Sequence, residues 1–248
     1  MIYRSLPVLK RAVPSLFRLL YRNRRLGGWT LAKRNRLNWL LTANNHVDRR
    51  CLEPGGHEEA QFDYLCRLLD KSAPTLFLDV GANFGLYSVR IAARYNCGVW
   101  AFEPDRRNFA QLNANILINR LLDVVIPVPF AVSSQARHLT LIAAGDDSTG
   151  QTRTSPENVG GGLTVDAIAI DNFPLPAIQP NNTFAAKIDV EGAEPDVIDG
   201  MWKFLSQHRG VLQVEVMAVN RERISAQMAK LGYHEVGRID EDWYFSNI

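Results

Sequence analysis

From Thr75 onward, short apolar runs alternate with helical segments, and this rhythm constrains the fold more than any other feature of the chain. Such alternation is the pattern of a parallel sheet wrapped by helices. It predicts strands over 75–80, 98–102, 124–129, 184–189 and 210–216, and helices over 84–95, 105–119, 195–208 and 220–231. Two further strand-like pieces, His234 to Ile239 and Trp243 to Ser246, flank Asp240-Glu241-Asp242 and read as a closing antiparallel hairpin. Ahead of the sheet, Phe62, Leu65, Leu68 and Leu69 mark a helix from Glu58 to Asp70. The expected fold is therefore a seven-stranded, mostly parallel α/β sheet with helices on both faces. Residues 133–183 break the rhythm with Asp146-Asp147-Ser148-Thr149-Gly150 and Gly160-Gly161-Gly162, and are expected to form an insertion, a lid or substrate loop.

Chemistry is concentrated where predicted strands end. Leu76-Phe77-Leu78-Asp79-Val80 runs into the turn Gly81-Ala82-Asn83-Phe84-Gly85, whose glycines allow a ligand to approach the backbone. The next strand ends on Glu103, about 20 residues beyond the turn, where a carboxylate can accept both ribose hydroxyls of a nucleoside. A dinucleotide would need its pyrophosphate on the helix N-terminus, and Asp79 would repel it. The same acid suits the cationic amino group of an amino-acid moiety. Asp79 and the glycines could also form only a tight turn, but the matching position of Glu103 argues for a ligand. A third cluster, Lys187-Ile188-Asp189-Val190-Glu191-Gly192-Ala193-Glu194-Pro195, follows the fourth core strand at the same sheet edge. While the strand persists, Asp189 and Glu191 face one way and Val190 the other. Pro195 fits the first turn of the next helix, and Glu194 serves either as a cap or at the site.

DVGANFG, the strand end AFEPD with Asn108, Leu112, Asn115 and Asn119 down the following helix, and KIDVEGAE together resemble the FkbM-type methyltransferase family over roughly residues 58–247. The resemblance implies a class I, Rossmann-like methyltransferase fold with S-adenosyl-L-methionine as cofactor. It further implies a donor site at Asp79, Gly81, Ala82, Asn83, Gly85 and Glu103, and places Lys187, Asp189 and Glu191 around the reacting centre. The implied reaction is O-methyl transfer to a hydroxyl of a glycan, a lipid-linked sugar or a natural product. Asp189 is the first choice for the base and Glu191 the second, with Asp189 as a cofactor ligand the alternative; Lys187 would stabilise the carboxylate or bind an anionic acceptor. No metal is required. Ile170-Asp171 stands where the family carries a short Leu-Asp sequence. An RNA methyltransferase and a non-catalytic donor-binding module are the rival readings.

Residues 1–57 lie outside the resemblance and divide the charge unequally. The first fifty residues carry 12 Lys and Arg against the single acid Asp48, whereas the remaining 198 carry 16 against 25 Asp and Glu. The extension is expected to contain short basic helices: one with Leu6, Leu9, Val13, Leu16, Phe17 and Leu20 at helical spacing, limited by Pro7 and Pro14, and a second from Lys33 to Leu41 after Gly27-Gly28. A basic amphipathic arm suits an anionic membrane face; alternatively its apolar side packs on the acidic core as a lid or a dimer contact, and RNA is the less favoured partner. No run approaches the roughly 20 apolar residues of a membrane span, Val13 to Tyr21 is too short and charged for a signal-peptide core, and Cys51, Cys66 and Cys97 offer neither a disulfide framework nor a zinc pattern. A cytoplasmic enzyme is expected. Among weaker candidates, His57 reads as a surface residue, with a general base the alternative, Glu215 as either a pocket acid or a buried pair, Trp243 and Phe245 as core, and Asp240-Glu241-Asp242 as a solvated turn.

Overall fold

The computed structural model describes residues 28–53, 55–143, 152–155 and 162–248. Its centre is a seven-stranded sheet of β3 (Leu76–Val80), β4 (Gly98–Phe102), β5 (Val125–Val128), β10 (Phe184–Ile188), β11 (Gly210–Glu215), β12 (His234–Ile239) and β13 (Asp242–Ser246), in the order β12-β13-β11-β10-β3-β4-β5. Five strands are parallel; β13 runs antiparallel to β11 and pairs with β12 at the edge. The chain steps outward from β3 to β5, then returns to the other side of β3 at β10. The strand order therefore reverses between β3 and β10, and a crevice opens at their carboxyl ends.

Side chains alternate across this sheet. Phe77, Val99, Ala185, Val211 and Tyr244 enter one core, and Leu76, Leu78, Phe184, Ala186, Leu212 and Val214 enter the other. The first core lies under α2 (Glu59–Ser72), α3 (Leu86–Arg94) and α4 (Arg106–Ile118), and the second under α5 (Glu194–Gly200), α6 (Trp202–Gln207) and α7 (Arg221–Lys230). Burial on both faces explains why the central strands read as continuous apolar runs. Trp243 and Phe245 are core residues, as expected, and Tyr244 between them is fully buried on the opposite face.

Three expectations need correction. The segment Lys33 to Leu41 is a β-hairpin rather than a helix: β1 (Trp29–Arg34) pairs antiparallel with β2 (Leu37–Thr42) across Asn35-Arg36, both at positive φ as a two-residue hairpin turn demands. Trp39 and Leu41 enter the first core at a period of two. A short helix, α1 (His46–Leu52), follows, capped by Asn45. Second, the expected helix over 195–208 breaks at Met201 into α5 and α6. Gly200 there lies so close to Ser133 that a Cβ would sit 1.9 Å from its carbonyl oxygen, and Asp171 accepts the N–H groups of Lys203 and Phe204 at the start of α6. Third, part of the expected loop over 133–183 is sheet: β7 (Arg137–Ala143), β8 (Thr152–Ser155) and β9 (Leu163–Ile168) join β6 (Ala131–Val132), just ahead of it, in the order β6-β9-β7-β8. The amphipathic segment with Leu6 to Leu20, Asp146 to Gly150, and Gly160-Gly161 lie outside the described residues.

Candidate active site

A cleft of about 420 Å³ opens at the carboxyl ends of β3, β4 and β10, and Asp79, Gly81, Ala82, Asn83, Glu103, Lys187, Asp189 and Glu191 all line it. Gly81 N–H and Ala82 N–H both donate to Phe102 O at 3.0 Å, which curls the turn over the end of β4. Gly81 has φ 84, and a Cβ there would lie 1.8 Å from Asp189 O, so only glycine fits between the two strand ends. Gly85, in contrast, is absent from the cleft wall. It begins α3 at φ 91 against Leu112.

Glu103 is 5% exposed and each of its oxygens takes one backbone donor: Asn83 N–H at 2.7 Å and Asp105 N–H at 2.8 Å. Burial nevertheless pushes its carboxyl up to about 8. Beside it, Asn83 sits at φ 51 with a buried Oδ1 that has no hydrogen-bond partner. Asp79 accepts Ser88 N–H at 2.9 Å and Ser88 Oγ–H at 2.5 Å on one oxygen, and its carboxyl is raised by burial against the opposing pull of Lys187 and Ser88.

Lys187 is in register with Asp79 on one side and Gln213 on the other, forming a polar row at the top of an otherwise apolar face. Its buried ammonium meets Asp189 Oδ2 at 2.5 Å and Glu58 Oε2 at 3.8 Å, and lies 4.6 Å from the Tyr87 ring centroid. Burial alone would lower the lysine; the carboxylates of Asp189 and Glu58 hold it well above its ordinary value. Glu58 is held well below the carboxylate range by Lys187, His57 and Tyr87 despite its burial.

Strand β10 ends at Ile188, and Glu191 turns back at φ 56. The expected alternation of Asp189, Val190 and Glu191 therefore stops before it begins, and all three line the cleft. Glu194 accepts Val190 N–H and Gly192 N–H and so fixes this turn. Glu215, at the end of β11, lies with Asp189 and Glu191 so that one oxygen from each falls within 4.8 Å of the others. Among the described residues these are the three that could hold a cation. Burial, followed by repulsion from Asp189 and Glu191, raises Glu215 to about 9, which favours its protonated form beside Asp189.

Several cleft residues were not legible as such in sequence. His57 is not at the surface: it lines the cleft and pairs with Glu58 at 3.0 Å. Glu241 also lines the cleft, and Asp242, read as part of a solvated turn, is buried and accepts from Gln213 at 2.8 Å. His46, Val47, Arg50 and Glu58 reach the wall from the segment ahead of the sheet. For the first three, the visible signal was Asn45 as an N-cap with one helical face behind it.

A family model described as the methyltransferase FkbM domain matches residues 79–240. No curated protein matches the chain in sequence. Among solved structures, the human methyltransferase 10 domain containing protein is 11% identical, with 94% of this chain and 95% of that chain covered at a TM-score of 0.50. M. jannaschii TYW2 in complex with AdoMet is 15% identical, with 89% and 87% covered and a TM-score of 0.48. The N-terminal domain of human METTL16 in complex with SAH is 14% identical, with 95% and 83% covered and a TM-score of 0.47. At such identities the likeness concerns the fold alone.

Proposed function

The chain belongs to the methyltransferase FkbM domain family and works with S-adenosylmethionine, and from that premise we propose that it methylates a hydroxyl oxygen of a glycan, a lipid-linked sugar or a natural product. Residues of the cleft fit such a donor. Glu103 offers a carboxylate to two ribose hydroxyls, Asn83 Oδ1 lacks a donor, and the space that a Cβ at Gly81 would occupy stays closed to any side chain. Asp79 supplies the acid suited to an amino group. When bound, S-adenosylmethionine supplies an electrophilic methyl group on a sulfonium sulfur.

The position of Asp189 carries the assignment of the base. Its backbone abuts Gly81 in the donor turn, and its side chain enters the cleft with Lys187 as countercharge. Asp189 would accept the proton of the attacking hydroxyl, while Lys187 holds the carboxylate in place and Glu191 flanks it. Orientation of acceptor and donor can contribute about 7–11 kcal/mol, and a positioned base a further 10²–10⁴-fold, by order of magnitude.

Asp189→Asn keeps the shape but cannot take a proton. The expected outcome is a turnover loss of about 10²–10⁴-fold with a much smaller change in donor affinity. Equal losses in both would make Asp189 a cofactor ligand. For the acceptor, labelled donor is supplied with separate glycan, lipid-linked and RNA pools. Label in RNA alone overturns the hydroxyl assignment, and donor binding without label in the glycan and lipid-linked pools removes those two acceptors.

A further inference from the structure

We propose that Arg50, with His46 one turn before it on α1, forms an oxyanion-binding corner of the cleft that takes a carboxylate or phosphate of a ligand. Residues at i and i+4 share a helix face, and both line the cleft together with Val47. The helix that carries them is tied to β2 and α4. Asn45 accepts Val47 N–H at 2.8 Å, and Asp48, fully buried, accepts Thr42 N–H at 2.8 Å and the Gln111 amide at 2.7 Å.

Charge in the cleft singles out Arg50. Lys187, the other full cation on the wall, is engaged by Asp189 and Glu58. Just outside, Arg34 and Arg90 both engage Glu59. Arg50 is half-buried, yet among the described residues it has no carboxylate or hydrogen-bond partner. His46 beside it is lowered first by burial and then by Arg49 and Arg50, with His57 adding to them and Glu53 opposing, so it stands as a neutral imidazole and the guanidinium of Arg50 carries the charge of the pair. A half-buried guanidinium fork on a fixed helix matches the bidentate geometry of carboxylate and phosphate oxygens. Two ligands can bring that chemistry: the methionyl carboxylate of the donor, or an acidic group on the acceptor. The first of these rests on the methyl-donor assignment above.

Calorimetry on the full chain with S-adenosylhomocysteine, which carries the carboxylate, and with 5′-methylthioadenosine, which lacks it, separates the sources; a thermal-shift titration with inorganic phosphate reads the second. If the donor carboxylate is the ligand, Arg50→Gln weakens S-adenosylhomocysteine at least about tenfold and leaves 5′-methylthioadenosine unchanged. If the acceptor supplies the oxyanion, both nucleosides bind as before and the phosphate-dependent stabilisation disappears. Arg50→Lys restores part of either effect, and Arg36→Gln, an equal charge change on the exposed hairpin turn, matches wild type. The proposal is overturned if Arg50→Gln leaves S-adenosylhomocysteine affinity and the phosphate response unchanged, or if 5′-methylthioadenosine weakens along with its carboxylated analogue. A wild-type chain that binds neither nucleoside defeats the donor assignment, while the phosphate titration still tests Arg50.

Discussion

Burial disfavours the charge of Glu103, and that cost gives its proposed role a pH signature. Two backbone N–H groups hold it, yet its carboxyl sits near 8 in the ligand-free protein. Ribose hydroxyls would hydrogen-bond the ionised form and favour it. Donor affinity should therefore rise as pH climbs toward about 8 and level off above it, by at most about tenfold per pH unit on the rising limb. Stability of the free protein has the opposite slope. The folded value lies above the ordinary 4.5, so this group's contribution is full below that value and is lost as pH rises through about 8. Titrations of S-adenosylhomocysteine at several pH values check the first trend; Glu103→Gln should weaken binding and flatten the profile. A wild-type profile that the variant reproduces would remove Glu103 from the donor site. Gly81→Ala tests the neighbouring turn, since its φ of 84 and the 1.8 Å approach to Asp189 O leave no room for a methyl. Its expected outcome is loss of donor binding with a lowered melting temperature, whereas near-native binding would show that the turn can move.

Asn115 joins two elements that sequence reading kept apart. Fully buried on α4, it accepts Leu40 N–H from the hairpin at 2.7 Å and donates to Phe84 O in the glycine turn at 2.9 Å. Asn119, one turn on, exchanges both hydrogen bonds with the backbone of Asn38. Asn115→Ala leaves a donor and an acceptor unpaired and should cost about 2–4 kcal/mol, read as a lower urea midpoint at unchanged slope, together with weaker donor binding. An unchanged midpoint would mean that the hairpin is anchored elsewhere. These contacts also explain what was legible in the sequence. Strands β3, β4, β10 and β11 announce themselves because burial on both faces demands apolar runs, and Asp79, Glu103, Lys187 and Asp189 stand out as polar residues at or near their ends. The β1–β2 hairpin was misread because its Leu and Trp spacing also fits a helix. What selects the strand is pairing with Asn115 and Asn119, some 75 to 81 residues away. Arg50 and Glu58 reach the cleft by the same kind of distant approach, which local spacing does not record.

At the scale of the whole molecule, the folded body reaches back to Gly28. Trp39 and Leu41 lie in the first core, and α1 supplies cleft residues. The basic excess that remains ahead of it is Arg4, Lys10, Arg11, Arg18, Arg22, Arg24 and Arg25, with no acid among residues 1–27. Among the described residues, no helix is long and apolar enough to cross a membrane. Peripheral attachment is a different matter, because basic residues near an anionic surface contribute roughly 1 kcal/mol each and interleaved Leu and Phe can add buried apolar area. Engagement of three or four of the seven charges would shift partitioning by about two to three orders of magnitude. The full chain is accordingly expected to co-sediment with phosphatidylserine-containing vesicles, to ignore phosphatidylcholine vesicles, and to be released by high salt as surface charge is screened. The comparison must be a charge variant rather than a truncation at Cys51, which would strip Trp39 and Leu41 from the core. Replacing Arg18, Arg22, Arg24 and Arg25 with Gln should leave the protein folded and in the supernatant. If wild type and variant both stay in solution with anionic vesicles, the first 27 residues do not serve a membrane, and their charge must be sought against the acidic part of the same chain or a second copy of it.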